Sequence, residues 1–405
     1  MILTTLKRLA TLLAATAFAT GGAFAQSATS PETDAPNAPN QQPAFEGQTR
    51  APAPQTQTAV AQEVIAEGLP RAWAVEKLPD GRFLINAKAG SMHIVGADGR
   101  ERWDVAGVPD VVSSGQAGLL DIALSPTFAE DSLIYFSYSE PRDDGNGTTV
   151  ARARLVSEGS EAKLDGMEVI FRQTPSWNNT KHFGSRLVFG PEGHLFVTVG
   201  ERSDPEPRVQ AQDLASGLGK VFRINADGSV PEDNPFVSQE GALDAIWSYG
   251  HRNLQSAALD GEGRLWTVEH GPKGGDELNR PEAGKNYGWP EVTYGVEYSG
   301  ATVGAGVTQK EGTEQPVYYW DPVIGPSGMS LYSEGPFTAW NGAFLVGGLV
   351  TQGLVVLKLE GDRVVSEERV PINARIRDVK SDAEGVYLLT EEGGSSRLIR
   401  LTPEG

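Results

Sequence analysis

The pattern of hydrophobic and polar positions indicates that most of this chain forms β-strands. From about residue 61 onward, short apolar or alternating runs are separated by Gly, Pro, Asp and Asn. Alternation with a period of two is typical of strands, whereas hardly any window keeps the 3.6-residue period of a helix for three turns. The hydrophobic pattern therefore predicts an all-β domain.

One local signal recurs six times within this domain. In each instance an acidic or amide residue is followed by a small residue and then by a β-rich run, which is typical of a tight turn that begins a strand. Six unevenly spaced copies of one unit predict a six-bladed β-propeller over residues 63–405. A β-sandwich is the alternative fold, although it does not explain the sixfold recurrence. The six turns are Asp80-Gly81, Asp131-Ser132, Glu192-Gly193, Glu262-Gly263, Asn341-Gly342 and Glu384-Gly385.

The first 62 residues differ in composition from the rest of the chain. Residues 1–25 combine the basic Lys7 and Arg8, an apolar run over 9–18 and an Ala-Phe-Ala site that ends at Ala25, which predicts a cleaved secretory signal peptide. The apolar run is too short to span a membrane, and an uncleaved anchor is the alternative. Residues 26–62 are rich in Gln, Ala, Pro, Ser and Thr and are expected to form a disordered leader. The mature protein is therefore predicted to be periplasmic or secreted, without a membrane span.

Charge and cysteine content narrow the possible partners. The formal net charge is −19, from 53 acidic and 34 basic residues. This argues against nucleic acid or an anionic membrane as a partner, because phosphates require clustered Lys and Arg. An acidic surface serves solubility first of all, and it is compatible with bound calcium or a cationic partner protein. The chain has no Cys, so thiol nucleophiles, Cys-type zinc sites and disulfides are excluded.

The stretch 251–298 is the densest in candidate chemistry. It holds a His-Arg-Asn triplet, a Gly271-Pro272 turn, the adjacent carboxylates Asp276 and Glu277, and a Tyr-Gly-Trp-Pro sequence. Carboxylate and backbone carbonyl oxygens are the ligands that calcium takes in proteins. This stretch therefore suggests a calcium site, and a capped turn on an acidic surface is the alternative interpretation.

His182 is a second candidate, because it precedes a predicted strand that ends near Glu201. In a propeller the residues around strand ends collect at one end of the central channel, where a His and a carboxylate can form an oriented general base. A structural loop histidine is the alternative, and this pairing alone does not decide between the two. The sequence contains no P-loop, dinucleotide-binding fingerprint, HExxH motif or Gly-x-Ser-x-Gly elbow, so nucleotide chemistry and zinc or serine hydrolysis lack support.

Several longer motifs occur together and in order along residues 63–405. They are GQAGLLDIALSPTF, HFGSRLVFGPEGHLFVTVGE, GLGKVFRINADG, GHRN, EHGPKGGDELN, GKNYGWP, EQPVYYW and RIRDV. On these motifs the chain resembles the family of soluble quinoprotein glucose dehydrogenases and aldose sugar dehydrogenases. That family consists of six-bladed propellers that use pyrroloquinoline quinone (PQQ) and calcium. The ordered set of motifs is specific, whereas any one of them alone is weak.

The resemblance implies a role for each matching residue. It makes His182 the general base, with Glu201 as the nearby carboxylate, and it places Gln116 and Tyr298 against the quinone. PQQ is a planar tricarboxylate, and the arginine guanidinium binds carboxylates through two parallel hydrogen bonds. The implied quinone-binding residues are Arg252, Asn253, Gly348, Leu349, Val350, Arg375, Ile376 and Arg377. The implied calcium ligands are the carbonyl oxygens of Gly271 and Pro272, with Glu277 and Tyr287 at a second, structural calcium.

Two positions depart from the family pattern. Relatives carry a Lys at a strand end where this chain reads Gly348-Leu349-Val350, and the next cation is Lys358. The family Lys adds positive charge near the quinone, so Val350 is expected to weaken cofactor binding or to shift the potential of the cofactor. Glu201 stands where a relative has Asp, which lengthens its reach to His182.

The resemblance implies oxidation of aldose sugars to aldonolactones. His182 would remove the proton from the anomeric hydroxyl while a hydride passes to the quinone, and calcium and Arg252 would stabilise the charge on the quinone oxygen. Electrons would then pass to an external acceptor such as a quinone, a dye or a cytochrome, and the protein would be a monomer or homodimer. A calcium-dependent propeller lactonase and a non-catalytic ligand-binding propeller are the alternatives.

Overall fold

The structure, a computed structural model, describes residues 29–405. These residues form twenty-four strands, numbered here along the chain, so the predicted all-β class is confirmed. The predicted signal peptide at 1–25 lies outside the described residues. Within the described range, no helix is long and apolar enough to cross a membrane. The helical segments are α1 (Phe128–Asp131), α2 (Pro205–Arg208) and two 3-10 turns at Val209–Gln212 and Thr338–Trp340.

The N-terminal half of the fold contains one eight-stranded sheet. Its strands are β2 (Ala72–Lys77), β3 (Phe83–Ala87), β4 (Ser91–Val95), β5 (Arg102–Ala106), β6 (Leu119–Leu124), β7 (Leu133–Arg142), β8 (Gly145–Glu158) and β9 (Glu161–Arg172). The order is β2-β3-β4-β5-β9-β8-β7-β6. Two antiparallel four-stranded sets are thus joined through β5 and β9, whose parallel pairing covers only Val105 with Ala162 and Ala106 with Lys163.

Three four-stranded antiparallel sheets follow, each with its strands in chain order. The first contains β10 (Gly184–Phe189), β11 (Leu195–Val199), β12 (Lys220–Ile224) and β13 (Ile246–Tyr249). The second contains β14 (Leu254–Leu259), β15 (Leu265–Glu269), β16 (Asp276–Asn279) and β17 (Tyr318–Trp320). The third contains β18 (Pro326–Tyr332), β19 (Ala343–Gly348), β20 (Gly353–Glu360) and β21 (Arg363–Pro371).

The last sheet joins the two ends of the domain. It contains β22 (Ile376–Asp382), β23 (Gly385–Thr390) and β24 (Ser395–Pro403), and its fourth strand is β1 (Val60–Pro70). β1 pairs antiparallel with β24 from Val60 opposite Pro403 to Pro70 opposite Ser395. Because a strand from the start of the domain completes the final sheet, β24 is not left as an unpaired edge.

The six recurring turns all stand at equivalent places in this architecture. Each one lies at the start of the second strand of a four-stranded set, namely β3, β7, β11, β15, β19 or β23. A positive φ is required in these turns, for example 78° at Gly263 and 76° at Gly342, and glycine adopts it without steric cost. In the second turn Ser132 takes the same left-handed conformation at 53°. The recurring signal therefore predicted the second strand of each set.

The first strands of the six sets contact one another in a closed ring. β2 packs beside β6, β6 beside β10, β10 beside β14, β14 beside β18, β18 beside β22, and β22 beside β2. The residues after the second strands therefore converge at one end of this ring. That end holds the candidate site.

The hydrophobic core lies between neighbouring sheets. Trp266 on β15 packs against Phe344 on β19 with ring centroids 5.4 Å apart, and both side chains are almost fully buried. At the closing sheet, Phe83 on β3 lies 5.3 Å from Tyr387 on β23, and Leu69 on β1 belongs to the same cluster. Alternating strand positions thus bury their apolar side chains on both faces of each sheet.

Residues 29–59 lie against the domain, in contrast to the disordered leader expected over 26–62. The Gln48 side chain is buried and donates to the Pro316 carbonyl at 2.9 Å. The Asp321 carboxylate accepts the backbone N–H groups of Asn37 at 2.6 Å and Ala38 at 2.9 Å. Composition predicted disorder because the segment has little apolar surface, but polar groups far away in the sequence supply its hydrogen bonds. Residues 26–28 lie outside the described range.

Candidate active site

A polar cavity of about 210 Å³ opens at the end of the ring where the second strands finish. Lys88 follows β3, His270 follows β15, Leu349 follows β19 and Glu391 follows β23, and all four line this main cavity. Its other lining residues are Arg71, Trp73, Gly115, Gln116, Leu120, Phe183, Gly184, Gln255, Arg375 and Arg377. The main cavity therefore draws residues from most of the strand sets around the ring.

The main cavity is rich in positive charge although the whole chain is acidic. Arg71, Lys88, Arg375 and Arg377 line it, and Glu391 is its single carboxylate among the described residues. Glu391 accepts from Arg71 Nη2 at 2.5 Å and from Arg377 Nε at 2.7 Å. Burial alone would raise the pKa of Glu391, but the charges and hydrogen bonds of Arg377 and Arg71 lower it to about 2. An excess of cations in a recessed polar cavity favours an anionic ligand.

The arginine pair at 375 and 377 reaches the main cavity from the start of β22. Arg375 is exposed and donates through Nη1 to the Leu349 carbonyl at 3.1 Å, whereas Arg377 is buried. The intervening Ile376 is fully buried in the apolar core. Side chains two apart on a strand share a face, so both arginines point to the main cavity and the Ile376 side chain points away from it.

His182 and Glu201 form the buried pair that the sequence suggested. His182 Nδ1 lies 2.7 Å from Glu201 Oε2, and the His182 backbone N–H donates to Gln116 Oε1 at 2.7 Å. Because Glu201 accepts, Nδ1 is assigned the proton, which leaves Nε2 as an acceptor. Within residues 29–405 no group hydrogen-bonds to Nε2. His182 itself is not among the residues lining the main cavity, but its neighbours Phe183 and Gly184 are.

The protonation of this pair follows from burial. Desolvation lowers the pKa of His182 below its usual value, and the Glu201 charge offsets this only in part. Burial raises the pKa of Glu201, but the charge and hydrogen bond of His182 bring it below its usual value. A neutral imidazole beside an ionised carboxylate is the state suited to accepting a proton at neutral pH.

Arg252 and Asn253 carry buried donors without partners. Arg252 donates through its backbone N–H to Glu269 Oε2 at 2.6 Å and through Nη1 to the His270 carbonyl at 2.9 Å. Its Nε atom and the Asn253 Nδ2 atom are buried with no hydrogen-bond partner among the described residues. Such groups are rare in folded proteins because each costs desolvation energy. Both atoms are therefore candidates for binding an acceptor ligand.

One hydrogen-bonded chain links Asn253 to Arg377. Arg377 Nη1 donates to Gln255 Oε1 at 3.4 Å, and Gln255 Nε2 donates to Asn253 Oδ1 at 3.3 Å. The Asn253 Oδ1 atom also accepts the Gly184 backbone N–H at 3.2 Å. Asn253, which follows Arg252 in the chain, thus shares a polar network with Arg377 of the main cavity.

A second, much smaller cavity of about 10 Å³ lies beside His270, next to the main cavity. It has room for roughly one water molecule or ion. Arg252, Glu269, Gly271 and Glu277 are among its lining residues. Burial, followed by the charge of Glu269, raises the pKa of Glu277 well above its usual value. The buried Glu269 and the half-buried Glu277 face one small space, and a cation there would relieve the repulsion between the two carboxylates.

The residues predicted to bind calcium offer mainly backbone oxygens. The carbonyls of Gly271 and Pro272 accept no hydrogen bond from the described residues. The Tyr287 hydroxyl donates to the Arg280 carbonyl and accepts the Glu282 backbone N–H, so only its backbone carbonyl is open to a metal. Within residues 29–405 no cluster of three or more His, Asp or Glu is arranged to hold a metal. A cation here would therefore also need carbonyl or water ligands.

Not every predicted residue lies at these cavities. Tyr298 is 74% exposed and Val350 is 54% exposed, and neither lines the main or the small cavity. Gly348 is buried at the end of β19, paired with Gly353 on β20. The structure brings together Gln116, Leu349, Arg375 and Arg377 at the main cavity, and Arg252, Gly271, Glu277 and Tyr287 at the small one.

Sequence reasoning missed several residues of the site. Lys88, His270 and Glu391 each follow the second strand of a set, so the residue after every recurring turn-and-strand unit was a signal that could have identified them. Glu269 ends β15 and binds both His251 and Arg252, but nothing local in the sequence marks it. Arg71 stands alone between β1 and β2, and its place depends on closure of the ring.

Comparison with known proteins adds a family match over most of the described chain. The family profile described as Glucose / Sorbosone dehydrogenase matches residues 69–400. The chain is 40% identical over 348 residues to an aldose sugar dehydrogenase of Escherichia coli (strain K12), which covers 84% of this chain and 92% of that protein.

Two solved structures are similar to the whole domain. The apo-form of the soluble aldose sugar dehydrogenase from Escherichia coli has a TM-score of 0.81 and 39% identity, covering 85% of this chain and 100% of that one. The PQQ-bound form of an aldose sugar dehydrogenase from Streptomyces coelicolor has a TM-score of 0.70 and 29% identity, covering 87% of this chain and 100% of that one.

Proposed function

Because this chain belongs to the glucose/sorbosone dehydrogenase family and is a PQQ-dependent oxidoreductase, we propose that it oxidises aldose sugars to aldonolactones with calcium and with His182 as general base. The observation that carries the proposal is a cationic cavity with unpartnered donors at Arg252 and Asn253 nearby, of which Asn253 is connected to Arg377 of the cavity through Gln255. We also interpret the closed ring of six strand sets as a six-bladed propeller.

The residues of the site fit a planar tricarboxylate. Arg375 and Arg377 would bind carboxylates of PQQ, since guanidinium groups pair with carboxylates at low desolvation cost. Arg252 Nε and Asn253 Nδ2 would donate to its carbonyl and carboxylate oxygens, which gives both orphaned donors a partner. Gln116 and Leu349 would contact the cofactor, while Tyr298 would have to approach from an exposed position. PQQ, when bound, supplies the carbonyl carbon that accepts a hydride.

Calcium would be held beside this site by the free carbonyl oxygens of Gly271 and Pro272. A second calcium near Glu277 and the Tyr287 carbonyl would relieve the repulsion between Glu277 and Glu269. In this arrangement the positive charge of Arg252 lies close to both proposed calcium sites. Negative charge that develops during the reaction would then be stabilised by fixed cations.

The protein groups that move the proton are His182 and Glu201. His182 is neutral at pH 7 because burial lowers its pKa, so its Nε2 atom accepts the proton of the anomeric hydroxyl. Glu201 fixes the proton on Nδ1 and stabilises the imidazolium that forms. Holding the sugar hydroxyl at Nε2 aligns its anomeric carbon for oxidation to the lactone.

The predicted location belongs to the same proposal. Residues 1–25 would direct the chain out of the cytoplasm to the periplasm or the medium, where an external quinone, dye or cytochrome would take up the electrons. Oligomeric state stays a prediction of monomer or homodimer.

Reconstitution tests the proposal directly. Apo-protein mixed with PQQ and calcium should give a bound-cofactor spectrum and should reduce an artificial dye when glucose or another aldose is added. Prior chelation of calcium should abolish the dye reduction. Hydrolysis of lactones without PQQ, together with no sugar-dependent dye reduction, would favour the lactonase alternative and contradict the proposal.

A further inference from the structure

Lys88 is a buried cation that the proposed mechanism does not use. It directly follows β3, and only 5% of the residue is exposed. Its ammonium group carries three donors, yet within residues 29–405 it makes one hydrogen bond, to the Gly115 carbonyl at 2.7 Å, and no ion pair. Because Lys88 lines the main cavity, the remaining donors are available to a ligand there.

The charges around Lys88 make its position costly without such a ligand. Burial, together with the charges of Arg71 and Arg377, lowers the pKa of Lys88 to about 8, and the charge of Glu391 opposes this shift only in part. Glu391 is already hydrogen-bonded by both arginines. Lys88 is therefore left as an excess cation, which a bound anion would stabilise.

The backbone holds Lys88 firmly in this place. Its N–H donates to the Arg71 carbonyl at 2.8 Å, and its own carbonyl accepts the Leu119 N–H at 3.3 Å. Gly118 packs so closely that a Cβ atom there would come within 2.5 Å of the Lys88 carbonyl oxygen. A cation on a backbone fixed from both sides is preorganised, so little ordering entropy is lost when a ligand binds.

We propose that Lys88 binds a carboxylate of the quinone cofactor and supplies the positive charge that the exposed Val350 does not. The inference rests on the proposed function, because it takes the ligand of the main cavity to be a planar polycarboxylate. Lys88 reaches that cavity from the first strand set, whereas Arg375 and Arg377 reach it from the start of the last set, just before and within β22. The cofactor would thus be bound by cations from the first and the last strand sets of the domain.

Cofactor binding to the apo-protein tests this inference without measuring turnover. PQQ is titrated into wild type, Lys88→Met and Lys88→Arg, and binding is followed by quenching of tryptophan fluorescence. Lys88→Met should raise the Kd for PQQ by about ten- to a hundredfold, the usual range for a lost hydrogen bond between charged groups. Lys88→Arg should stay within a few-fold of wild type. Lys358→Met removes an exposed lysine on β20 and should leave the Kd unchanged.

The outcomes separate this inference from the proposed function. If wild type binds PQQ and Lys88→Met binds it equally well, the role of Lys88 is contradicted while the proposed function stands. If wild type does not bind PQQ, both are contradicted. A thermal melt of each apo-variant shows whether it is folded.

The pH dependence of binding gives a second readout that does not need the Met variant. Lys88 is protonated below about pH 8 in the apo-protein, so the affinity of wild type for PQQ should fall as the pH rises from 7 to 9.5. Lys88→Arg should show no such fall, and an identical fall in both proteins would contradict the inference. Two other titratable groups at the cavity keep one charge state over this range, because Glu391 has a pKa of about 2 and His270 a pKa of about 3. The remaining charged groups that line it are Arg71, Arg375 and Arg377, which are present in both proteins.

Discussion

At the scale of single residues, burial decides what the candidate base can do. His182 and Glu201 are both almost fully buried, and their 2.7 Å contact fixes the imidazole. His182 also adopts a left-handed backbone conformation with φ at 48°, which is uncommon for residues other than glycine. Such a conformation persists only when the surroundings hold it, here through the Gln116 side chain on the His182 N–H.

Replacing Glu201 by Gln should change the pH profile as well as the rate. The Glu201 charge raises the pKa of His182, so its removal should lower that pKa further and move the acid limb of kcat/KM to lower pH. We expect kcat to fall by about ten- to a hundredfold because the imidazolium loses its partner. PQQ binding serves as the control and should be retained. An unshifted acid limb would show that Glu201 does not act through His182.

Site residues that lie in short sequence motifs could be predicted from the sequence, whereas residues whose role depends on the fold could not. His182, Arg252 and Arg377 lie in short motifs, and the structure places each of them at, or next in sequence to a residue at, one of the two cavities. Lys88 and Glu391 have no motif of their own, since their role depends on where a strand ends in the ring. The exposure of Tyr298 was not predictable from sequence, because it depends on how a long loop folds back.

At the scale of elements, the recurring turn predicted every second strand but not the outer strands. β3, β7, β11, β15, β19 and β23 follow the six turns, whereas the pairing of β1 with β24 joins residues more than three hundred positions apart. No local pattern specifies such a contact. The same is true of residues 29–59, whose order depends on partners such as Asp321.

The closing strand offers a matched pair of substitutions. Leu69 and Val64 both lie on β1, but Leu69 is 2% exposed and Val64 is 46% exposed. Leu69→Ala should lower the free energy of unfolding by about 2–5 kcal/mol, because it leaves a cavity between the first and last sheets. Val64→Ala should change it by less than about 1 kcal/mol. Equal effects in a denaturant titration would contradict the view that β1 closes the ring through its buried side chains.

At the scale of the whole molecule, charge is divided between an acidic chain and a cationic cavity. The net charge is −19, yet four cations and one carboxylate line the main cavity. An acidic exterior keeps the protein soluble, whereas the recessed cations concentrate an anionic ligand at one end of the ring. The total charge argues against polyanionic macromolecules as partners, but it carries no information about a small polycarboxylate.

One measurement tests whether the cationic cavity binds PQQ and whether the buried His182 is the base for its reduction. Bound PQQ is mixed with excess aldose in the absence of a dye, and its reduction is followed in a single turnover for wild type and His182→Asn. Asparagine tolerates the left-handed backbone at this position, so the variant should fold and retain PQQ. We expect its reduction rate to fall by about two orders of magnitude or more. Equal rates in the two proteins, or no reduction of PQQ by any aldose in wild type, would contradict the account.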